Sequence, residues 1–299
     1  MLGLTAGCGA REHSGAYDAG LEALRKEDYI TALSQFQIAA KEDGREVEAY
    51  RCEGIAYLEM GEYEHAVTLL NKSLEELDYK DESFEKDVNY YLAEAYRGNG
   101  EVDKAIEIYA GLIDKYKDAE AYFLRGQMYL DQQEEQKAAS DFKKSLEKDT
   151  GYDNFINVYL AYAGKNRGAD GASYLEKAVD KNPENVEEQY QQGRIYYYLE
   201  EYSRAKDVLN EAADSGNQDA VLLLGKIYLE TEDTANARAL YQNYLQSNEE
   251  SSTAYNGLAL CDIADEEYGS AMVNIQKGLD CKDQEERENL LFNEVVVYE

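Results

Sequence analysis

A small residue recurs along this chain at nearly constant spacing, and no other feature restricts the fold so tightly. The series is Gly20, Gly54, Ala93, Gly126, Tyr159, Gly193, Gly225 and Ala259, with Tyr159 its one large member, at intervals of 34, 39, 33, 33, 34, 32 and 34 residues. Twelve residues past each stands a second small residue: Ala32, Ala66, Ala105, Ala138, Gly171, Ala205, Ala237 and Ala271. Four residues further, one helical turn along the same face, comes a bulky one: Phe36, Leu70, Tyr109, Phe142, Leu175, Leu209, Tyr241 and Ile275. Self-similarity at this period marks stacked supersecondary units, each packing on its neighbours. The small positions have a physical role, because two closely crossing helices leave no room for a larger side chain at the contact.

The best-formed unit runs from Val47 to Lys80, with the skeleton Tyr50, Gly54, Tyr57, Gly61, Tyr63, Ala66, Leu70 and Ser73. This order resembles the tetratricopeptide repeat, a helix–turn–helix unit. The resemblance implies an all-α fold, a right-handed superhelical solenoid of antiparallel helix pairs, with about eight repeats and a final helix. It covers residues 13–299, with repeats starting near 13, 47, 86, 119, 152, 186, 218 and 252 and a last helix over 286–299. That last helix either closes the stack or is followed by more of the array. The family's late proline is matched only by Pro183. The third unit carries extra residues near Asp81–Glu85, expected as a longer loop, and the fifth unit, around Tyr159, diverges most. Tyrosine recurs three residues past the anchor, at Tyr57, Tyr96, Tyr129, Tyr162, Tyr196 and Tyr228. Tyr29, Tyr63, Tyr202 and Tyr268 precede the second helices and are expected to pack across the turns.

Composition narrows the function classes. Lys plus Arg number 30 against 62 Asp plus Glu, a formal charge of −32. Such a surface repels phosphate backbones and anionic headgroups, so no nucleic acid partner is expected, and a basic protein or peptide suits it better. A single proline fits an almost wholly helical chain. No apolar run approaches the roughly 18 residues of a membrane span.

The segment Leu4-Thr5-Ala6-Gly7-Cys8 resembles the end of a bacterial lipoprotein signal peptide, in which small residues precede a lipidated cysteine. Residues 1–12 are then a signal remnant and short linker. The resemblance implies lipidation at Cys8 and a place on the outer face of a bacterial cytoplasmic membrane, with membrane contact only through that anchor. Thr5 departs from the usual apolar residue, and only seven residues precede Cys8, so a longer upstream segment would be needed to complete the signal. The alternatives are a cytoplasmic adaptor without lipid and a surface protein that stacks tyrosines on cell-wall carbohydrate.

The other cysteines, Cys52, Cys261 and Cys281, form no Cys-x-x-Cys pair. Cys52 and Cys261 fit small buried helix positions, while a Cys261–Cys281 disulfide stays open. With His13 and His65 as the only histidines, neither a metal site nor a Ser-His-Asp arrangement has material. Gly98-Asn99-Gly100 lacks the strand of a dinucleotide fingerprint and reads as a turn. The expectation is a non-enzymatic interaction scaffold without cofactors.

In the family, first helices line the concave face. Positions three before, one after and four after each anchor point into it. They give Arg51, Ile55 and Leu58 in the second unit; Tyr90, Glu94 and Arg97 in the third; Phe123, Gln127 and Leu130 in the fourth; and Tyr190, Arg194 and Tyr197, beside Tyr198, in the sixth. Tyr and Arg together are typical of recognition hot spots. These residues are therefore candidates for a protein- or peptide-binding groove, with filling of the interior by tyrosine as the competing role. The lysine–asparagine–arginine clamp of chaperone-binding members finds no match, since Arg51, Ile55 and Arg194 stand at the relevant positions.

Overall fold

In the computed structural model, residues 15–42, 44–78, 81–283 and 285–298 are described. Cys8 and its neighbours lie outside them. Seventeen α-helices and no strands occur among the described residues. In chain order they are α1 (Ala16–Arg25), α2 (Tyr29–Glu42), α3 (Glu46–Glu59), α4 (Tyr63–Glu75), α5 (Glu82–Gly98), α6 (Val102–Tyr116), α7 (Ala119–Asp131), α8 (Glu135–Lys148), α9 (Tyr152–Ala163), α10 (Gly168–Leu175), α11 (Val186–Tyr198), α12 (Tyr202–Asp214), α13 (Gln218–Glu230), α14 (Thr234–Leu245), α15 (Ser252–Ala264), α16 (Tyr268–Asp280) and α17 (Arg287–Tyr298). They form two compact units, one ending at Asp149 and the other beginning at Thr150. The first holds four helix pairs; the second holds four pairs and α17.

The pairing follows from the small-residue series. All seven alanines of the second series are fully buried, and every bulky residue one turn on is 3% exposed or less. Those bulky side chains occupy the space opened by the anchor glycines. A Cβ added at Gly20 would sit 2.6 Å from the Phe36 ring, at Gly54 2.7 Å from Leu70 Cγ, and at Gly126 2.8 Å from the Phe142 ring. Gly193 faces Leu209 in the same way, and Tyr241 is gripped between Gly225 of its own repeat and Gly257 of the next. The fifth pair exchanges the roles. Where Tyr159 replaces the small anchor, Gly171 brings α10 against α9, and a Cβ there would lie 2.9 Å from the Tyr159 carbonyl oxygen. The Tyr159 ring turns to Tyr198 of α11, 4.9 Å between centroids.

Each helix pair turns through one left-handed residue: Glu27, Gly61, Gly100, Gln133, Asn166, Glu200, Glu232 or Glu266. The next amide then bonds back five residues, as in Glu62 N–H to Tyr57 O at 2.9 Å and Glu201 N–H to Tyr196 O at 2.9 Å. This helix-ending motif satisfies carbonyls that would otherwise lack donors and reverses the chain within a few residues. Side chains tie the pair as well: Ser73 Oγ donates to Val47 O and Ser145 Oγ to Ala119 O, both at 2.8 Å.

The structure departs from the sequence reading at two places and settles a pairing that the sequence left open. The extra residues at Asp81–Glu85 form a helix, not a loop. Asp81 caps α5 by accepting from the Phe84 amide at 3.0 Å, Phe84 packs on the core, and Lys115 pairs with Glu85 at 2.6 Å, so the insertion becomes an added helical turn. Tyr268 leaves the turn for solvent, 48% exposed, whereas Tyr63 reaches into the following repeat and lies against Gly98. No bridge joins Cys261 to Cys281: Cys261 is a free buried thiol, and Cys281 Sγ lies 3.3 Å from the Lys277 carbonyl.

Candidate functional site

In the first unit, the side chains expected to line a groove mostly engage their own neighbours. Arg51 is half-buried, paired with Asp87 of the next repeat and stacked over Tyr91 at 5.5 Å. Tyr90 donates its hydroxyl to Asp118 at 2.7 Å. Burial first, and then this carboxylate, push the Tyr90 hydroxyl far above its ordinary pKa. Asp118 also pairs with Lys86 and caps α7. Glu94 and Arg97, both on the surface of α5, pair with each other through Arg97 Nε at 2.9 Å. Phe123 is buried with its ring 5.9 Å from Phe142, so it serves the core; Ile55 and Leu130 are buried likewise. Gln127 sits half-buried on α7. The Arg51–Asp87 and Tyr90–Asp118 contacts stitch one first helix to the next.

In the second unit, Tyr197 donates to Glu230 at 2.7 Å, with the Lys226 ammonium 5.2 Å from the centre of its ring. Tyr198 lies between Tyr159 and Tyr197. The Arg194 guanidinium rests near the Tyr190 ring, donates to Gln191 Oε1 at 2.6 Å and lies 3.6 Å from Asp153. Tyr190 also lines a cavity of about 480 Å³ that the other twelve candidates do not border.

This cavity combines apolar area with oriented polar groups. It opens between α11, α13, α15 and α17. Its apolar lining includes Leu222, Leu223, Leu229, Leu260 and Phe292, of which Phe292 is 68% exposed. A polar relay crosses one wall. Asn293 donates to Asn256 at 2.8 Å, Asn256 donates to Glu286 at 2.9 Å, and Asn289 donates to the same carboxylate oxygen at 2.7 Å. One buried amide, Asn256, and one exposed amide, Asn289, thereby orient Glu286 beside an apolar surface. Volume, apolar lining and few oriented polar groups match what small binding sites require.

The spacing rule that selects Tyr190 would also have found part of this site. Applied to the seventh anchor, Gly225, it gives Leu222, Lys226 and Leu229; applied to the eighth, Ala259, it gives Asn256, Leu260 and Ile263. All but Ile263 line the cavity. The α17 residues carry no such signal: a further step of 34 residues from Ala259 falls on Asn293, which breaks the small-residue series.

Much of the positive charge is committed within repeats. Lys104 lies over Tyr96 at 4.9 Å and pairs with Glu101; Lys137 lies over Tyr129 at 5.0 Å and pairs with Glu134; Arg204 lies over Tyr196 at 4.2 Å and pairs with Glu201 at 2.6 Å. In each case the tyrosine stands three residues past the anchor and the cation eight residues further. His65 stacks on Tyr57 in the same slot, 5.1 Å between centroids. These tyrosines answer to the turn, and they draw scarce cations into it.

No helix among the described residues is long and apolar enough to cross a membrane. Among curated proteins no significant sequence match is found. A tetratricopeptide repeat protein from Parabacteroides merdae ATCC 43184 has a similar crystal structure: TM-score 0.54, 13% identity, 85% of this chain and 100% of that one covered. The crystal structure of the yeast Tom70 is similar at TM-score 0.63 and 16% identity, over 99% of this chain and 66% of that one. At such identities the likeness is one of fold alone. The tetratricopeptide repeat family model matches residues 17–81, 53–118, 90–153, 160–220, 190–252 and 222–272. With these overlapping matches laid over the repeating helix pairs, the chain belongs to the tetratricopeptide repeat family.

Proposed function

We propose that this protein is a non-enzymatic scaffold that binds a protein or peptide segment, and that the segment docks in the cavity of the second unit. The cavity itself carries this reading: about 480 Å³ lined by Tyr190, leucines and Phe292 beside a fixed carboxylate. An extended or helical segment would bury apolar side chains on Leu222, Leu229 and Leu260 and place polar groups toward Asn256 and Glu286. Site-directed photo-crosslinking tests it. A benzophenone amino acid at position 260 should capture a discrete partner in cells that make the protein, and one at the exposed position 211 of α12 should not. Capture from 260 that survives Phe292→Asp, or equal capture from both positions, would refute the site.

The proposal extends to location. Cys8, following Leu4-Thr5-Ala6-Gly7, would carry a lipid that holds the array on the outer face of a bacterial cytoplasmic membrane. Fatty-acid labelling of the native protein, lost in Cys8→Ser, supports this; no label on either favours a cytoplasmic adaptor.

A further inference from the structure

We infer that the occupant of the second-unit cavity is a basic amphipathic segment, with bulky apolar residues on one side and lysine or arginine beside them. This inference rests on the cavity being the docking site proposed above. Three carboxylates border the cavity, from Asp219, Glu285 and Glu286. None of the three has a lysine or arginine partner among the described residues, in contrast with Glu101, Glu134 and Glu201 on the repeat turns. Lys226 is the one cation of the lining, and its ammonium lies over the ring of Tyr197, whose hydroxyl donates to Glu230.

Glu286 is the most telling of the three. It is half-buried at the edge of an apolar surface, and Asn256 and Asn289 both donate to its Oε2. Amide donors orient a carboxylate without neutralising it. A charge held there gains from an incoming cation more than a mobile surface carboxylate does, because less side-chain freedom remains to be lost and part of the solvent is already displaced. The apolar residues supply area and the carboxylates supply register. An acidic segment would set like charges together, which interfaces strongly penalise. A second copy of this chain, itself at −32, is disfavoured for the same reason.

The test uses fluorescence polarisation with the full chain and three 12-residue fluorescein-labelled peptides. Each carries Leu and Phe at one helical face, and the intervening positions are Lys in one, Gln in the second and Glu in the third. Asp219→Asn, Glu285→Gln and Glu286→Gln are combined in one variant. A control variant removes the same charge from exposed α12 positions, as Asp207→Asn, Glu211→Gln and Asp214→Asn. The inference expects the Lys peptide to bind best, with affinity reduced about tenfold by the cavity variant and by raised salt, and little changed by the control. Equal binding of the Gln or Glu peptide, or equal effects of the two triple variants, overturns the basic-partner inference. If binding then still disappears in Leu260→Asp with Phe292→Asp, the docking site stands with a different occupant. Binding of no peptide, or binding that survives those two aspartates, overturns the docking site together with the inference. Circular dichroism of each variant separates loss of binding from loss of fold.

Discussion

Replacing Gly54 with alanine should destabilise the protein, although alanine is the better helix former. In a helix interior, Gly→Ala gains about 0.8–1.0 kcal/mol. At Gly54 the new methyl would sit 2.7 Å from Leu70 Cγ and 3.4 Å from the Ala66 carbonyl oxygen. Leu70 and Ala66 are fully buried, and Cγ is the branch point of the leucine, so no flexible tip can swing aside. Relieving the contact requires α3 and α4 to separate by about an ångström, and overpacking of this kind costs about 1–3 kcal/mol. The net effect is a loss of roughly 0–2 kcal/mol. Gly111→Ala supplies the reference: Gly111 is exposed in α6, with nothing within 4 Å of an added Cβ, and should stabilise by about the full propensity gain. The two substitutions should therefore differ by about 1–3 kcal/mol. Repeat arrays unfold locally, so hydrogen exchange over peptides from α3, α4 and α6 is the suitable measurement. If Gly54→Ala protected α3 and α4 as much as Gly111→Ala protects α6, the small-residue series would not be a packing constraint. Leu70→Ala should cost about 2–5 kcal/mol alone and less when combined with Gly54→Ala, since the new methyl fills part of the cavity.

Three other expectations can be checked in solution. Glu200 and Glu266 hold left-handed backbone conformations that only glycine adopts freely, so Glu200→Gly and Glu266→Gly should each raise stability by about 0.5–1 kcal/mol, read as a higher thermal midpoint. Asp118 caps α7, accepts from Tyr90 and pairs with Lys86; burial alone would raise its pKa, but these partners together hold it below 3.8. Its stabilisation is therefore complete above pH 3.8 and lost as pH falls through the lower folded value, and Asp118→Ala should cost roughly 2–3 kcal/mol in urea unfolding at neutral pH while flattening that acid limb. Burial pushes the Cys261 thiol up to about 11, with Arg238 opposing. The folded chain then binds more protons than the unfolded one above pH 9, so stability falls as pH rises past 9, and Cys261 should resist iodoacetamide at pH 8 until the chain unfolds.

Architecture was largely legible without coordinates because it depends on a local rule repeated many times. Each small anchor admits one bulky side chain sixteen residues later, as Gly20 admits Phe36 and Gly126 admits Phe142. That relation lies within one helical hairpin and is written directly into sequence spacing. Even the departure at Tyr159 keeps the rule, since Gly171 supplies the missing space from the partner helix. The local ending of a helix was less legible: whether Asp81–Glu85 loops or winds depends on a cap, on Phe84 finding the core and on Lys115 finding Glu85.

The site divides along the same line. Sequence determined which faces the first helices present, and Tyr190, Leu222, Leu229 and Leu260 follow from it by period alone. Only the tertiary structure decided which of those positions remain accessible. Arg51 is taken up by Asp87, Tyr90 by Asp118 and Arg97 by Glu94, whereas Phe123 turns into the core. Those contacts are made between repeats or between side chains of one surface, where partner identity depends on the small offset of one hairpin against the next. The relay from Asn293 through Asn256 to Glu286 arises the same way, from a last helix laid across α15. Periodicity fixes direction from the helix axis; the distance between two directions is set by packing, and the binding surface is what packing leaves uncovered.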